Sequence, residues 1–150
     1  MTTKATNQST ALRHAVLVDA AVSGTMGVLL SLGAGLLAHP LGLTVALLRW
    51  TGVILIPFAA HLLWVATRAN ASPDAVRAII GVNVVWAVGT PLLLVSGWMK
   101  PTPLGELFVL LQAVVVAGFA YLEYRGLRRE GASLQPVPNN ARRYGEEHGR

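Results

Sequence analysis

The sequence predicts an all-α protein whose four helices cross a membrane as an antiparallel bundle. Of its 150 residues, 53% are hydrophobic and 13% are charged, about half the charged fraction of a soluble domain. Lys, Arg, Asp and Glu are absent from four long stretches, which are 20–48, 50–67, 78–99 and 107–122. A membrane-spanning helix needs about 20 mainly apolar residues, so four spans fill nearly the whole chain and leave no room for a soluble catalytic domain.

The elements follow in order along the chain. Residues 1–12 are polar and lack an apolar period, which predicts a flexible cytoplasmic arm. The predicted spans are 13–38, 44–67, 73–98 and 103–125. The first has an apolar run longer than a signal-peptide core and no small-residue cleavage site, so we expect it to remain as a span. The Ser-Pro pair at 72–73 and the Thr-Pro pair at 102–103 suit the first residues of helices. Residues 126–150, which contain Gly, Pro, Asn and mixed charges, are predicted to form a flexible basic cytoplasmic tail.

Basic residues predict the orientation of the bundle. All Lys and Arg residues except Arg49 and Lys100 lie on the side that holds both termini. The positive-inside rule then places both termini in the cytoplasm.

A short internal similarity suggests a repeat. Residues 39–49 align with residues 102–112, and both segments contain Pro-Leu-Gly near their start. The similarity favours two helical hairpins related as a parallel repeat, with a two-fold axis along the membrane normal.

Span one has a face of small residues that includes one carboxyl group. Asp19, Ser23, Gly27, Ser31 and Gly35 recur every four residues. Small residues on one helix face allow two backbones to approach closely. We therefore predict a helix-packing seam at the Ser and Gly positions, and we expect Asp19 to point into a helix interface.

Asp19 is the principal functional candidate. A carboxylate within a span costs about 2.5 to 3.5 kcal/mol at the helix centre. We expect this one closer to the cytoplasmic interface, since it follows Arg13 by about 9 Å along the helix. It either pairs with Arg125 or Arg77, accepts hydrogen bonds from Asn83, or serves as a proton or cation relay.

The predicted intramembrane polar cluster has further members beyond Asp19. They are Arg49, His61, Asn83, Gln112 and Glu123. Arg49 is long enough to reach the outer interface, where Glu106 is its natural partner. The two amides are typical of contacts between helices, worth about 0.6 kcal/mol each. Haem would need a second ligand beside His61, and His14 is the other histidine near that side.

Several function classes are excluded. The chain has no Cys, so thiolate catalysis and Cys-ligated metals are ruled out. It contains no nucleotide-binding loop, Ser-His-Asp set or group of residues with metal-ligand spacing, so we expect no enzymatic activity, metal or cofactor. The basic residues lie at helix ends without interleaved aromatics, which argues against nucleic acid as a partner.

Four short motifs carry a resemblance to a known family. They are LVDAAVSG around Asp19, ALLRWTG around Arg49, IPF, and NVVW from Asn83 to Trp86. Across residues 13–125 the chain resembles a generally uncharacterised family of small four-span bacterial integral membrane proteins. The resemblance implies a four-helix bundle in the bacterial cytoplasmic (inner) membrane and places weight on the four residues named, but it supplies no activity.

These observations favour a non-enzymatic membrane protein that acts through helix contacts as an accessory or assembly subunit. Its expected partners are the lipid bilayer and either further copies of itself or another membrane protein. The alternative is a small proton- or cation-coupled transporter that works as a homo-oligomer, with Asp19 as the titrating group. Haem or quinone binding around His61 is a third interpretation.

Overall fold

Four long helices account for nearly all of the described chain. The computed structural model describes residues 3–68 and 72–133, with side chains described between Thr10 and Glu130. The helices are α1 (Thr3–Leu41), α2 (Val45–Thr67), α3 (Pro73–Val95) and α4 (Pro103–Ser133). Each contains a stretch long and apolar enough to cross a membrane. The predicted all-α antiparallel bundle is confirmed, and the chain is a small multi-pass membrane protein.

The first and last helices are longer than the predicted spans. α1 begins at Thr3, so it includes most of the segment that we expected to be a flexible arm, and α4 continues to Ser133. Once a helix has nucleated, each further residue adds one hydrogen bond for one residue fixed, so polar residues can extend it beyond the apolar span. The rest of the predicted tail, at 134–150, lies outside the described residues, as do residues 1–2 and 69–71.

The helices pack side by side in the order α2, α1, α4 and α3. α1 packs against α2 and also against α4, α3 packs against α4, and α2 scarcely touches α3. The bundle is therefore open along one side, between α2 and α3. A two-fold repeat of hairpins would bring α3 and α2 together as closely as α1 and α4, and the helices do not show that symmetry.

The two Pro-Leu-Gly segments meet at the end of the bundle that holds the α1–α2 and α3–α4 connections, here called the loop end. Thr102 donates from its backbone N to Leu41 O at 3.1 Å and from Oγ1 to Pro40 O at 2.6 Å. Gly42 has φ +64°, and a Cβ at Gly105 would overlap Leu41 O. Both glycines are thus needed where the end of α1 touches the start of α4.

The small residues of α1 pack against α2 within the chain. A Cβ added at Gly52 would lie 2.5 Å from Ser31 N and 2.6 Å from Gly27 O. Only a glycine on α2 allows this separation of the two backbones. At Gly35, the last residue of the predicted seam, an added Cβ would meet nothing within 4 Å.

Apolar packing holds α3 at only one of its two ends. The cluster toward the chain termini includes Val76 and Ile79 of α3. The cluster at the loop end is built by α1, α2, the α1–α2 connection and α4, and among its buried members there is no residue of α3. The second half of α3 therefore lies apart from the core and leaves space inside the bundle.

Replacing Gly52 by Ala should weaken the α1–α2 contact. The added methyl group meets backbone atoms that cannot rotate away, so we expect a loss of about 1–3 kcal/mol in unfolding free energy. Gly81→Ala is the matched control, because its Cβ would meet nothing within 4 Å and Ala favours the helix by about 1 kcal/mol over Gly. The unfolding free energies of both variants are measured by denaturant titration in detergent micelles, with circular dichroism as the signal. Equal losses of unfolding free energy in the two variants would contradict the close contact of α1 and α2 at Gly52.

Candidate functional site

Four polar side chains meet inside the bundle and form what we call the polar cluster. Asp19 and Ser23 come from α1, Asn83 from α3 and Glu123 from α4. Asp19 and Glu123 are 0% exposed, Asn83 is 2% exposed and Ser23 is 8% exposed. Three of the predicted candidates, together with one residue of the predicted seam, are therefore brought to one place.

The amide of Asn83 bridges the two carboxyl groups. Its Nδ2 donates to Asp19 Oδ2 at 2.8 Å and to Glu123 Oε2 at 3.3 Å. Ser23 Oγ, one turn along α1, donates to Asp19 Oδ1 at 2.8 Å. The two carboxyl groups therefore lie next to each other, on either side of one amide nitrogen. Side chains of three helices are thus joined through one amide.

No positive charge balances these carboxyl groups among the described side chains. The ion pair found there is Arg77–Asp74 at the surface, and Arg125 lies over the ring of Tyr121 at 5.7 Å. Of the partners considered for Asp19, the structure places Asn83 beside it and neither arginine. Glu123 Oε1 is buried without a hydrogen-bond partner among the described residues. The site therefore has spare capacity to bind a proton or a cation.

The polar cluster lies at the middle of α3. Asn83 follows Pro73 by about 15 Å along the helix, which is roughly half the length of α3, a helix of 23 residues. We expected Asp19 near the membrane interface because of its distance from Arg13. Asn83, its partner, likewise follows Arg77 by six residues, or about 9 Å along α3, so the two side chains lie at the same distance from the basic ends of their helices.

A central cavity of about 250 Å³ adjoins the polar cluster. Ser23 and Asn83 belong to both, so they form the boundary between the cavity and the carboxyl groups. All four helices contribute to its walls, which include four aromatic side chains: Phe58, Trp86, Phe108 and Phe119. Trp86 Nε1 is buried without a hydrogen-bond partner among the described residues, and Gln112 also lines the space.

The cavity is accessible from the side of the bundle. Ile54 and Phe58 of α2 line it opposite Val82 and Trp86 of α3, yet these two helices scarcely touch. The gap between them opens toward the surrounding lipid. A membrane-dissolved molecule can reach the cavity without passing through water.

Two predicted candidates lie outside this site. Arg49 and His61 are exposed on α2, and His61 stacks on Trp64 with ring centroids 5.8 Å apart. His14 lines a separate groove between α1 and α4, beside Arg125. The structure therefore does not bring His61 and His14 together. No group of three potential metal ligands occurs among the described residues either.

Compared with protein families, curated proteins and solved structures, the chain matches none. Its chemistry is therefore argued from the polar cluster and the central cavity. The sequence does not indicate that Phe108 and Phe119 lie beside Trp86, because aromatic residues on separate helices leave no local pattern in the sequence.

Replacing Asn83 by Leu should destabilise the bundle. Leu has a similar size but cannot donate, so both carboxyl groups lose a hydrogen bond, at a cost of about 1–3 kcal/mol. Gln112→Leu is the control, because Gln112 lines the cavity and no hydrogen bond is found for it among the described residues. The melting temperatures of both variants are measured by thermal unfolding in detergent. Similar melting temperatures for Asn83→Leu and the wild type would contradict a bridging role for the amide.

Proposed function

We propose that the chain is a small proton-coupled transporter in which Asp19 and Glu123 bind the coupled proton. The observation that supports this proposal is the pair of fully buried carboxyl groups that share the amide of Asn83 without a cationic partner among the described side chains. An ionisable side chain inside the membrane is a functional candidate by default.

The energetics of burial favour proton exchange at this pair. The idealised cost of moving one carboxylate from water into a low-dielectric interior is of order 20 kcal/mol, and several kcal/mol remain after relaxation. Two carboxylates side by side also repel each other. A proton held between Asp19 and Glu123 removes the repulsion and the cost of burying one of the two charges. Loss of that proton then requires a cation to replace it or a rearrangement that admits water.

The groups that face this site are few. α1 contributes Asp19 and the hydroxyl of Ser23, α4 contributes Glu123, and α3 contributes the neutral amide of Asn83. No titratable side chain of α2 is among their described partners. Any dependence of proton binding on pH at this site is therefore a property of Asp19 and Glu123 themselves.

The accessory-subunit interpretation has less support. It needs a helix surface that is free for another protein, whereas α2 occupies the small-residue seam of α1 at Gly27 and Ser31. The cavity also lies within one copy of the chain, so ligand binding does not require a second copy. Transport by a homo-oligomer remains compatible with this arrangement.

The proposal includes a location and an orientation. We place the chain in the bacterial inner membrane with both termini in the cytoplasm, on the basis of its family resemblance and of the positive-inside rule. The polar cluster then divides the bundle into a cytoplasmic part, which is closed by the first apolar cluster, and an outer part, which contains the cavity.

Carbodiimide labelling tests proton binding. N,N′-dicyclohexylcarbodiimide is an apolar reagent that attacks protonated carboxyl groups, so we expect it to modify Asp19 or Glu123 in lipid vesicles, with less labelling as pH rises. The Asp19→Asn, Glu123→Gln double variant should lose this labelling. Glu106→Gln is the control, because Glu106 is exposed near the start of α4. Peptide mass spectrometry locates the adduct.

Other outcomes of this experiment have distinct meanings. If neither carboxyl group is labelled at any pH in folded protein, the pair does not hold a proton and the proposal fails. If Na⁺ protects the pair at constant pH, the coupled ion is a metal cation. If the variants change only the melting temperature, Asp19 and Glu123 have a structural role.

A further inference from the structure

The central cavity has an unusual concentration of aromatic side chains. The chain contains 3 Phe, and all of them, Phe58, Phe108 and Phe119, line this one space together with Trp86. They come from α2, α3 and α4, and each is half-buried. The faces of aromatic rings attract cations, and aromatic cages recognise quaternary ammonium groups. The walls therefore suit a cation that also carries apolar groups.

The polar cluster determines which sign of charge the cavity accepts. Ser23 and Asn83 line the cavity, and both donate to Asp19. A positive charge in the cavity is attracted by the adjacent carboxyl pair, and water-poor surroundings strengthen that attraction. An anion is repelled by the same pair. The ligand expected here is therefore positively charged.

The volume limits the size of the ligand. An apolar cavity of about 150 Å³ holds benzene, and pockets for drug-sized ligands begin at about 300 Å³. The central cavity has about 250 Å³. It has room for one aromatic ring and a small ammonium group, and not for a larger ring system.

We propose that the central cavity binds a small hydrophobic organic cation, an ammonium ion with one aromatic ring, which enters from the bilayer between α2 and α3. The aromatic side chains hold the ligand, and the carboxyl pair supplies the opposite charge. The exchange of this cation for a proton rests on the proposed function, whereas binding to the cavity does not.

Two ligands of equal shape test the charge requirement. Benzyltrimethylammonium is the cationic probe, and neopentylbenzene, in which carbon replaces the ammonium nitrogen, is its neutral counterpart. Isothermal titration calorimetry of the purified full chain in detergent should give a dissociation constant at least about tenfold lower for the cation. The Asp19→Asn, Glu123→Gln double variant should lose that preference.

Two valine variants test the place of binding. Val116 lines the cavity, so Val116→Phe fills it and should abolish binding of the cation. Val114, on the same helix, is 69% exposed, so Val114→Phe should leave the dissociation constant unchanged. Circular dichroism establishes that both variants are folded.

A pH indicator in weakly buffered solution reports protons released on binding. Release of about one proton per bound cation supports both the ligand class and proton coupling. Binding of the cation without release supports the ligand class and contradicts the coupling. Equal affinity for the neutral counterpart overturns the cationic ligand. Carbodiimide labelling without binding of either compound overturns the cavity proposal and leaves the proton-binding function standing.

Discussion

The arrangement of this bundle depends on two buried carboxyl groups that share one amide. Within the hydrocarbon core a polar side chain cannot turn to water, so Asp19 and Glu123 must find donors inside the protein. Asn83 supplies one hydrogen to each, and these bonds fix the rotation and depth of α3 relative to α1 and α4. The apolar residues of α3 then pack on one side of Asn83 only, which leaves the other half of the helix beside a cavity.

The contacts that position α1 are of a different kind. Gly27 and Gly52 bring its backbone against α2, and Gly42 and Gly105 bring its end against α4. Such contacts depend on the absence of side chains and tolerate little displacement. α3 has no comparable contact with α2: it packs mainly against α4 and is joined to α1 by the hydrogen bond between Asn83 and Asp19. The side opening of the bundle follows from that difference.

The sequence predicts the features that depend on local periodicity. The spans follow from charge-free stretches, and the direction of Asp19 follows from the four-residue spacing of small side chains around it. Its partner could not be selected, because Asn83 and two arginines were all within plausible reach, and the choice depends on how α3 rotates about its own axis. The joining of Glu123 to Asp19 and the gathering of Phe58, Phe108 and Phe119 depend on long-range packing, so no window of sequence contains them.

The shared position of Ser23 and Asn83 has a thermodynamic consequence for the proposed transport. Both residues donate to Asp19 and both line the cavity, so a ligand that moves either side chain also changes the hydrogen bonds of the carboxyl groups. If ligand binding alters proton affinity by some factor, proton binding must alter ligand affinity by the same factor. A bundle of four helices thus needs no separate relay between two distant sites, because the boundary residues couple the polar cluster and the cavity directly.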